Sequence, residues 1–205
     1  MIGNGTAGRA FVCFQITKTY KGMEQVSLAD EIGRKLLTQR KVFLWGGVDD
    51  ESAEYVIERL LYLDLMEPGK EITFYINSPG GYVTSGMAIY DTMRGLTSPV
   101  ATVCMGLAAS MGSILLSAGA KGRRFILPNG RVMIHQPSGG AQGATSDIAI
   151  QAREIIKTKK LGAKILAENC GQDFEKVMQD FDRDYWMDAE ESVAYGIVDA
   201  VTDKC

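Results

Sequence analysis

Apolar residues along the chain fall in short blocks, and the spacing within the blocks changes from one to the next. Val42-Phe43-Leu44-Trp45, Ile72 to Ile76, Val100 to Met105 and Ile197 to Val201 are mostly apolar runs of strand length. Runs of this kind suit strands buried on both faces. Between them the apolar positions recur at helical intervals. Ile32, Leu36 and Leu37 share one side of a short helix from Leu28 to Leu37. Ala53, Val56, Ile57, Leu60 and Leu61 do the same behind the acidic start Asp49-Asp50-Glu51-Ser52, and Pro68-Gly69 ends that helix. The turn Asn77-Ser78-Pro79-Gly80-Gly81 precedes a helix carrying Met87, Tyr90 and Met93. Arg124 to Leu127, the turn Pro128-Asn129-Gly130 and Arg131 to Ile134 read as a further pair of strands. A long helix is expected from about Ser146 to Glu168, with Asp147 near its start and Lys157, Lys159, Lys160 and Lys164 later, as its dipole favours. Asp188-Ala189-Glu190-Glu191 resembles a capping box, with Gly196 as the stop. Strands alternating with helices predict an α/β fold.

The first 26 residues fit this pattern least. Phe11 to Thr19 could form a strand turning at Lys21-Gly22, within an otherwise flexible terminus. Gly3-Asn4-Gly5-Thr6-Ala7-Gly8 matches GxGxxG in letters only, because no strand can precede it and no helix pattern follows. Ser138-Gly139-Gly140-Ala141-Gln142-Gly143 reads as a loop or a glycine-weakened strand.

Composition narrows the function classes. With 205 residues and 46% of them hydrophobic, the chain can bury a sizeable core, and one domain is expected. A formal net charge of −3 and only short basic runs argue against nucleic acid as a partner. The four cysteines, Cys13, Cys104, Cys170 and Cys205, are scattered without a CxxC. With a single histidine in the chain, no common zinc pattern can be assembled, so no metal is expected. Cys104 lies in an apolar strand and is expected in the core. No apolar run approaches the roughly 20 residues that span a bilayer, so no membrane partner is expected and the cytoplasm, or an organelle matrix or stroma, is the default location.

Val103-Cys104-Met105-Gly106-Leu107-Ala108-Ala109-Ser110-Met111-Gly112 carries the first chemical signal. A strand runs into small residues, then Ser110, then the helical segment Ile114-Leu115-Leu116. A serine there is placed to act as a nucleophile, since small neighbours admit a substrate backbone and a helix start offers free N–H groups. The competing reading makes Ser110 a helix cap. His135, at a strand end before Gln136-Pro137, is the only imidazole, so any histidine base for Ser110 must be His135. For an orienting carboxylate, Asp180-Phe181-Asp182-Arg183-Asp184 offers three acids, and spacing does not choose among them.

Several motifs together resemble a known family. They are Gly106 to Gly112, Met133-Ile134-His135-Gln136-Pro137, and Asp182-Arg183-Asp184 followed by Trp186-Met187. Ile76 to Gly81, Ile89 to Met93, Gly119-Ala120-Lys121-Gly122 and Ala194 to Asp199 accompany them in order. From about Leu36 to Val201 the chain closely resembles the Clp protease proteolytic subunit. The resemblance implies a crotonase-like α/β fold of repeated β-β-α units in residues 27–205, with a protruding handle at about 136–168. It also implies an N-terminal axial-loop segment in residues 1–26. It makes Ser110 the nucleophile, His135 the general base and acid, and Asp184 the orienting carboxylate. The amides of Gly81 and Met111 become the oxyanion hole, and Gly80, Val83, Ser138, Gly139 and Gly140 flank the substrate peptide. Arg183 resembles a position coupling ring contact to the active site. The implied activity is serine endopeptidase cleavage of unfolded polypeptides into short peptides, without a cofactor. The implied assembly is a homo-oligomer of two stacked heptameric rings, or a mixed ring with a paralogue, served by an AAA+ Clp unfoldase. No GxxxxGK[ST] occurs, so ATP hydrolysis would belong to that partner. The departures lie at the front, where Gly33 stands at a common aromatic position and Thr19 to Glu24 matches the axial loop only loosely. Two alternatives are a catalytically silent ring subunit and an acyl-CoA enzyme of the wider crotonase-like group. The Ser110, His135 and Asp184 set disfavours the second.

Overall fold

The computed structural model describes residues 27–204, so the expected strand at Phe11 to Thr19 and the axial-loop segment lie outside the described residues. Among the described residues there are seven strands and seven helices, and most strands are followed by a helix. β1 (Lys41–Trp45), β2 (Ile72–Ser78), β3 (Val100–Ala109), β4 (Arg124–Ile126) and β7 (Ala200–Val201) lie side by side in that order, all parallel. The outcome is the α/β class expected from the pattern, because parallel neighbours need a crossover between them.

Alternation sorts the two faces of the sheet. Val42, Leu44, Ile72, Phe74 and Ile76 are buried in one core with Val56, Leu60 and Leu63 of α2 (Asp50–Met66) and with Ile89 and Met93 of α3 (Val83–Gly95). On the other side Phe43 stacks on Tyr75, with ring centroids 4.9 Å apart, and Trp45 is exposed. α1 (Leu28–Thr38) begins in a capping box between Ser27 and Asp30, and α2 in another between Asp49 and Ser52.

β3 is the strand that organises the site. Its first half pairs with β4 and its second half with β5 (Arg131–Ile134), both parallel. The two segments around Pro128-Asn129-Gly130 therefore do not pair with each other as a hairpin. Each continues along β3 instead. The change of partner coincides with Gly106 at φ 93, where a side chain would press on Asn77 Oδ1. Register against β2 jumps there from Ile76↔Cys104 to Ser78↔Ala108, and Asn77 Oδ1 patches the gap by accepting from the Leu107 N–H at 3.2 Å. β3 then runs to Ala109, further than its apolar run alone predicts, and α4 (Met111–Ser117) follows at once.

Beyond β5, the structure adds α6 (Phe174–Asp180) and β6 (Tyr185–Met187), neither of which the hydrophobic pattern predicts. β6 runs antiparallel to β5, with Ile134 opposite Tyr185. α5 (Thr145–Cys170) is slightly longer at both ends than expected, and all its buried residues fall between Gly162 and Ala167. Its first half is largely exposed, including Ile148, Ile150 and Ile156. α7 (Ala189–Tyr195) opens with a capping box between Asp188 and Glu191 and ends at Gly196 in the left-handed region, as its sequence indicated. No helix among the described residues is long and apolar enough to cross a membrane.

Candidate active site

Ser110 stands at the junction of β3 and α4 with φ 55 and ψ −122. Besides Arg40 it is the only described non-glycine residue at positive φ. A conformation of this kind costs about 1–3 kcal/mol and persists only where neighbours impose it. They do so here: the Ser110 N–H donates to the Met133 carbonyl at 2.9 Å, and the Ser110 carbonyl accepts from Ser113 N–H and Oγ–H. Ser110 occupies the N-cap position, yet its side chain makes no capping bond. Among the described residues its Oγ has no hydrogen-bond partner, so the cap reading of this serine does not hold.

Sheet register brings His135 to the same place. Ala109 of β3 pairs with Met133 of β5, which puts His135, just past the end of β5, beside Ser110. Both residues line one narrow cleft with Val83, Met87, Met111, Ile114, Pro137 and Phe181, with a cavity volume of only about 20 Å³. No hydrogen bond joins Ser110 Oγ to His135 in this arrangement. A base that is to take the serine proton must close that gap, a tightening that substrate commonly brings.

The antiparallel β5–β6 pairing then separates the three acids. With Ile134 opposite Tyr185, the next pair outward is His135 and Asp184, and His135 Nδ1 lies 3.0 Å from Asp184 Oδ1. A carboxylate only accepts, so Nδ1 is the donor in that contact and Nε2 is the nitrogen it leaves unengaged. Asp182 is bound instead by Lys159, whose ammonium 3.0 Å away holds the carboxyl below its ordinary range. Asp180 is taken by Lys176 at 2.6 Å and by the Tyr195 hydroxyl, which donates to it at 3.0 Å.

Two backbone N–H groups in the segments next to Ser110 make no hydrogen bond among the described residues. Val48 and Gly81 form a parallel bridge, with the Val48 N–H donating to Gly80 O at 2.9 Å and the Tyr82 N–H to Val48 O at 2.7 Å. That pattern uses the neighbours of the Gly81 amide and leaves the Gly81 N–H itself without an acceptor among the described residues. The Met111 N–H, at the first helical position of α4, is likewise undonated. Gly80, at φ 90, passes so close that a Cβ would fall 2.6 Å from Ser110 Cβ and 2.9 Å from Met111 N. Only glycine allows this approach.

Of the expected substrate residues, Val83 lines the cleft and Gly80 abuts Ser110. Ser138, Gly139 and Gly140 are exposed and non-regular, and their backbone makes no hydrogen bond to the described residues. Gly139 lies over Ile155 of α5, where a Cβ would come 3.2 Å from its Cδ1. The cleft walls Met87, Ile114 and Phe181 carry no motif, and the sequence marks them only as apolar positions. The spacing Val83, Met87 on one helical face was the available signal. Cys104 is fully buried in β3 as expected, and burial pushes its thiol up to about 12, out of reach of nucleophilic chemistry.

A protein-family model described as Clp protease matches residues 24–205, which covers nearly all of the chain and every residue of this site.

Proposed function

The chain belongs to the Clp protease family and is thereby a peptidase subunit; on that premise we propose that it is a serine endopeptidase acting through Ser110, His135 and Asp184. Ser110 Oγ attacks the peptide carbonyl while His135 Nε2 accepts its proton. Asp184 stabilises the imidazolium through Nδ1. The Gly81 and Met111 N–H groups receive the oxyanion, each worth about 3–4 kcal/mol in the transition state. His135 then protonates the leaving amine, and water, deprotonated by His135, hydrolyses the acyl-enzyme. The extended substrate lies between Gly81 to Val83 and Ser138 to Gly140, pairing by main chain and so tolerating many side chains. The apolar walls of the cleft favour an apolar side chain on the residue that donates the carbonyl.

The observation that carries this reading is an uncapped Ser110 sharing a cleft with a histidine whose other nitrogen is already bonded to a carboxylate. Two stacked heptameric rings, with the exposed half of α5 as part of the handle, form the chamber, and an AAA+ unfoldase feeds it. Wild-type protein should hydrolyse a fluorogenic peptide without ATP and be labelled at Ser110 by a fluorophosphonate. Ser110→Ala should lose both, and equal hydrolysis by the two proteins would overturn the assignment. The open Ser110–His135 gap favours one second reading, a silent subunit of a mixed ring. Absence of labelling in intact rings would select it.

A further inference from the structure

The segment carrying Asp184 is held by residues outside the triad. Asp184 is mostly exposed, and among the described residues its one hydrogen bond is the bond to His135. Two positions earlier, Asp182 is bound from two directions. Lys159 of α5, with only 21% of its side chain exposed, reaches Asp182 Oδ1 at 3.0 Å. Gln136, the neighbour of His135, donates from Nε2 to the Asp182 carbonyl at 2.7 Å and to Oδ1 at 3.3 Å. The Gln136 N–H also donates to the Phe181 carbonyl. These bonds bracket the His135–Asp184 contact on both strands of its approach. A lone surface ion pair contributes little; this one is part of a network that fixes a loop.

We propose that Lys159 and Asp182 form a positioning clamp that holds Asp184 against His135 and ties that alignment to α5. The inference rests on the triad reading above. α5 is suited to the role because Thr158 and Gly162, on either side of Lys159, line the cleft that contains Ser110. The Lys159 hydrogen bond and charge lower the Asp182 pKa, which favours the ionised carboxylate that the clamp uses. Lys159 and Asp182 touch no reacting atom and are positioning residues.

The discriminating variant is Lys159→Met, studied in the assembled full-length protein. His135 is the only histidine in the chain, so its labelled imidazole gives a single set of NMR signals. The charged groups in this cluster are Asp182, Arg183 and Asp184 on one segment and Lys159 on α5. Releasing Asp184 removes the acceptor that holds the proton on Nδ1, which loss of the Lys159 charge alone does not. The clamp therefore requires the Nε2–H tautomer of His135 to gain population, read from the imidazole nitrogen shifts. It also requires kcat to fall about tenfold with KM within about twofold. Lys159→Arg should restore both. Asp182→Asn, which keeps the carbonyl that Gln136 holds, should lose as much kcat as Lys159→Met, and the double variant no more than either. An unchanged His135 tautomer ratio, or losses that multiply in the double variant, would overturn the clamp. Absence of Ser110-dependent hydrolysis in wild type would sink the peptidase reading, while the tautomer ratio would still decide the clamp.

Discussion

Ser110 shows how a residue's chemistry is set by what its backbone is forced to do. The side chain at an N-cap position normally bonds the first turn, and here it does not, because the positive φ turns it away from the α4 amides. Gly80 completes the arrangement by packing its backbone against Ser110 and Met111, and Gly81 by lying against Val48, whose carbonyl a Cβ would strike. Gly80→Ala should lower kcat/KM about 100-fold or more by pushing Ser110 and the Met111 amide apart, measured on a fluorogenic peptide. The same change places alanine at φ 90 and should cost about 1–2 kcal/mol of stability, read from the thermal midpoint. At this scale Ser110 and His135 were legible in the sequence, one from its small neighbours and the other from being the only imidazole. Asp184 was legible only through the family resemblance.

Among the elements, the helix boundaries were the most readable, since caps are local: Asp49 with Ser52 and Asp188 with Glu191 bond within their own first turns. β6 and α6 were missed because three strand residues and a short helix carry too few positions to establish a period. What joins the last elements to the sheet is Arg124. Its guanidinium, nearly buried, bonds Asp199 and the carbonyls of Asn169 and Gly196, tying β4 to the ends of α5 and α7. Arg124→Met should destabilise the protein by about 3 kcal/mol in denaturant titration, by leaving the Asp199 carboxylate and two carbonyls without their partner. Burial acts against the Asp199 carboxylate, but Arg124 outweighs it and holds the pKa below the ordinary range. A depressed native pKa stabilises the fold above the unfolded value, about 3.9, and the contribution is lost as pH falls through the native value. Wild type should thus lose stability on acidification below about pH 4, and Arg124→Met should show a shallower acid limb.

For the whole molecule, α5 is the element that the single chain leaves unfinished. Ile148, Ile150 and Ile156 are 42%, 50% and 54% exposed along a half-helix with no buried residue, and the proposed ring assembly would cover part of them. Ile150→Lys with Ile156→Lys should convert two-ring particles to single rings or smaller species in sedimentation, with peptide hydrolysis falling at least tenfold. Unaltered sedimentation would show that this face lies outside the ring contact. Lys159 connects this scale to the smallest one, since the same helix that would meet a second ring also holds Asp182.

By itself the sequence determined the alternation of strands and helices, the capped helix starts, and the short choice of chemistry around Ser110 and His135. Each of these depends on residues a few positions apart, whose interactions act through local geometry. Spacing left the acid open and the family resemblance named Asp184; only the tertiary structure decided how it meets His135, which nearby amides lack an acceptor, and that Lys159 bonds Asp182. Those outcomes follow from strand register: one pairing of Ile134 with Tyr185 selects Asp184, and one bridge between Val48 and Gly81 frees an amide. A shift of a single residue in either would turn the selected groups to the opposite face, and nothing in a local pattern encodes that alignment.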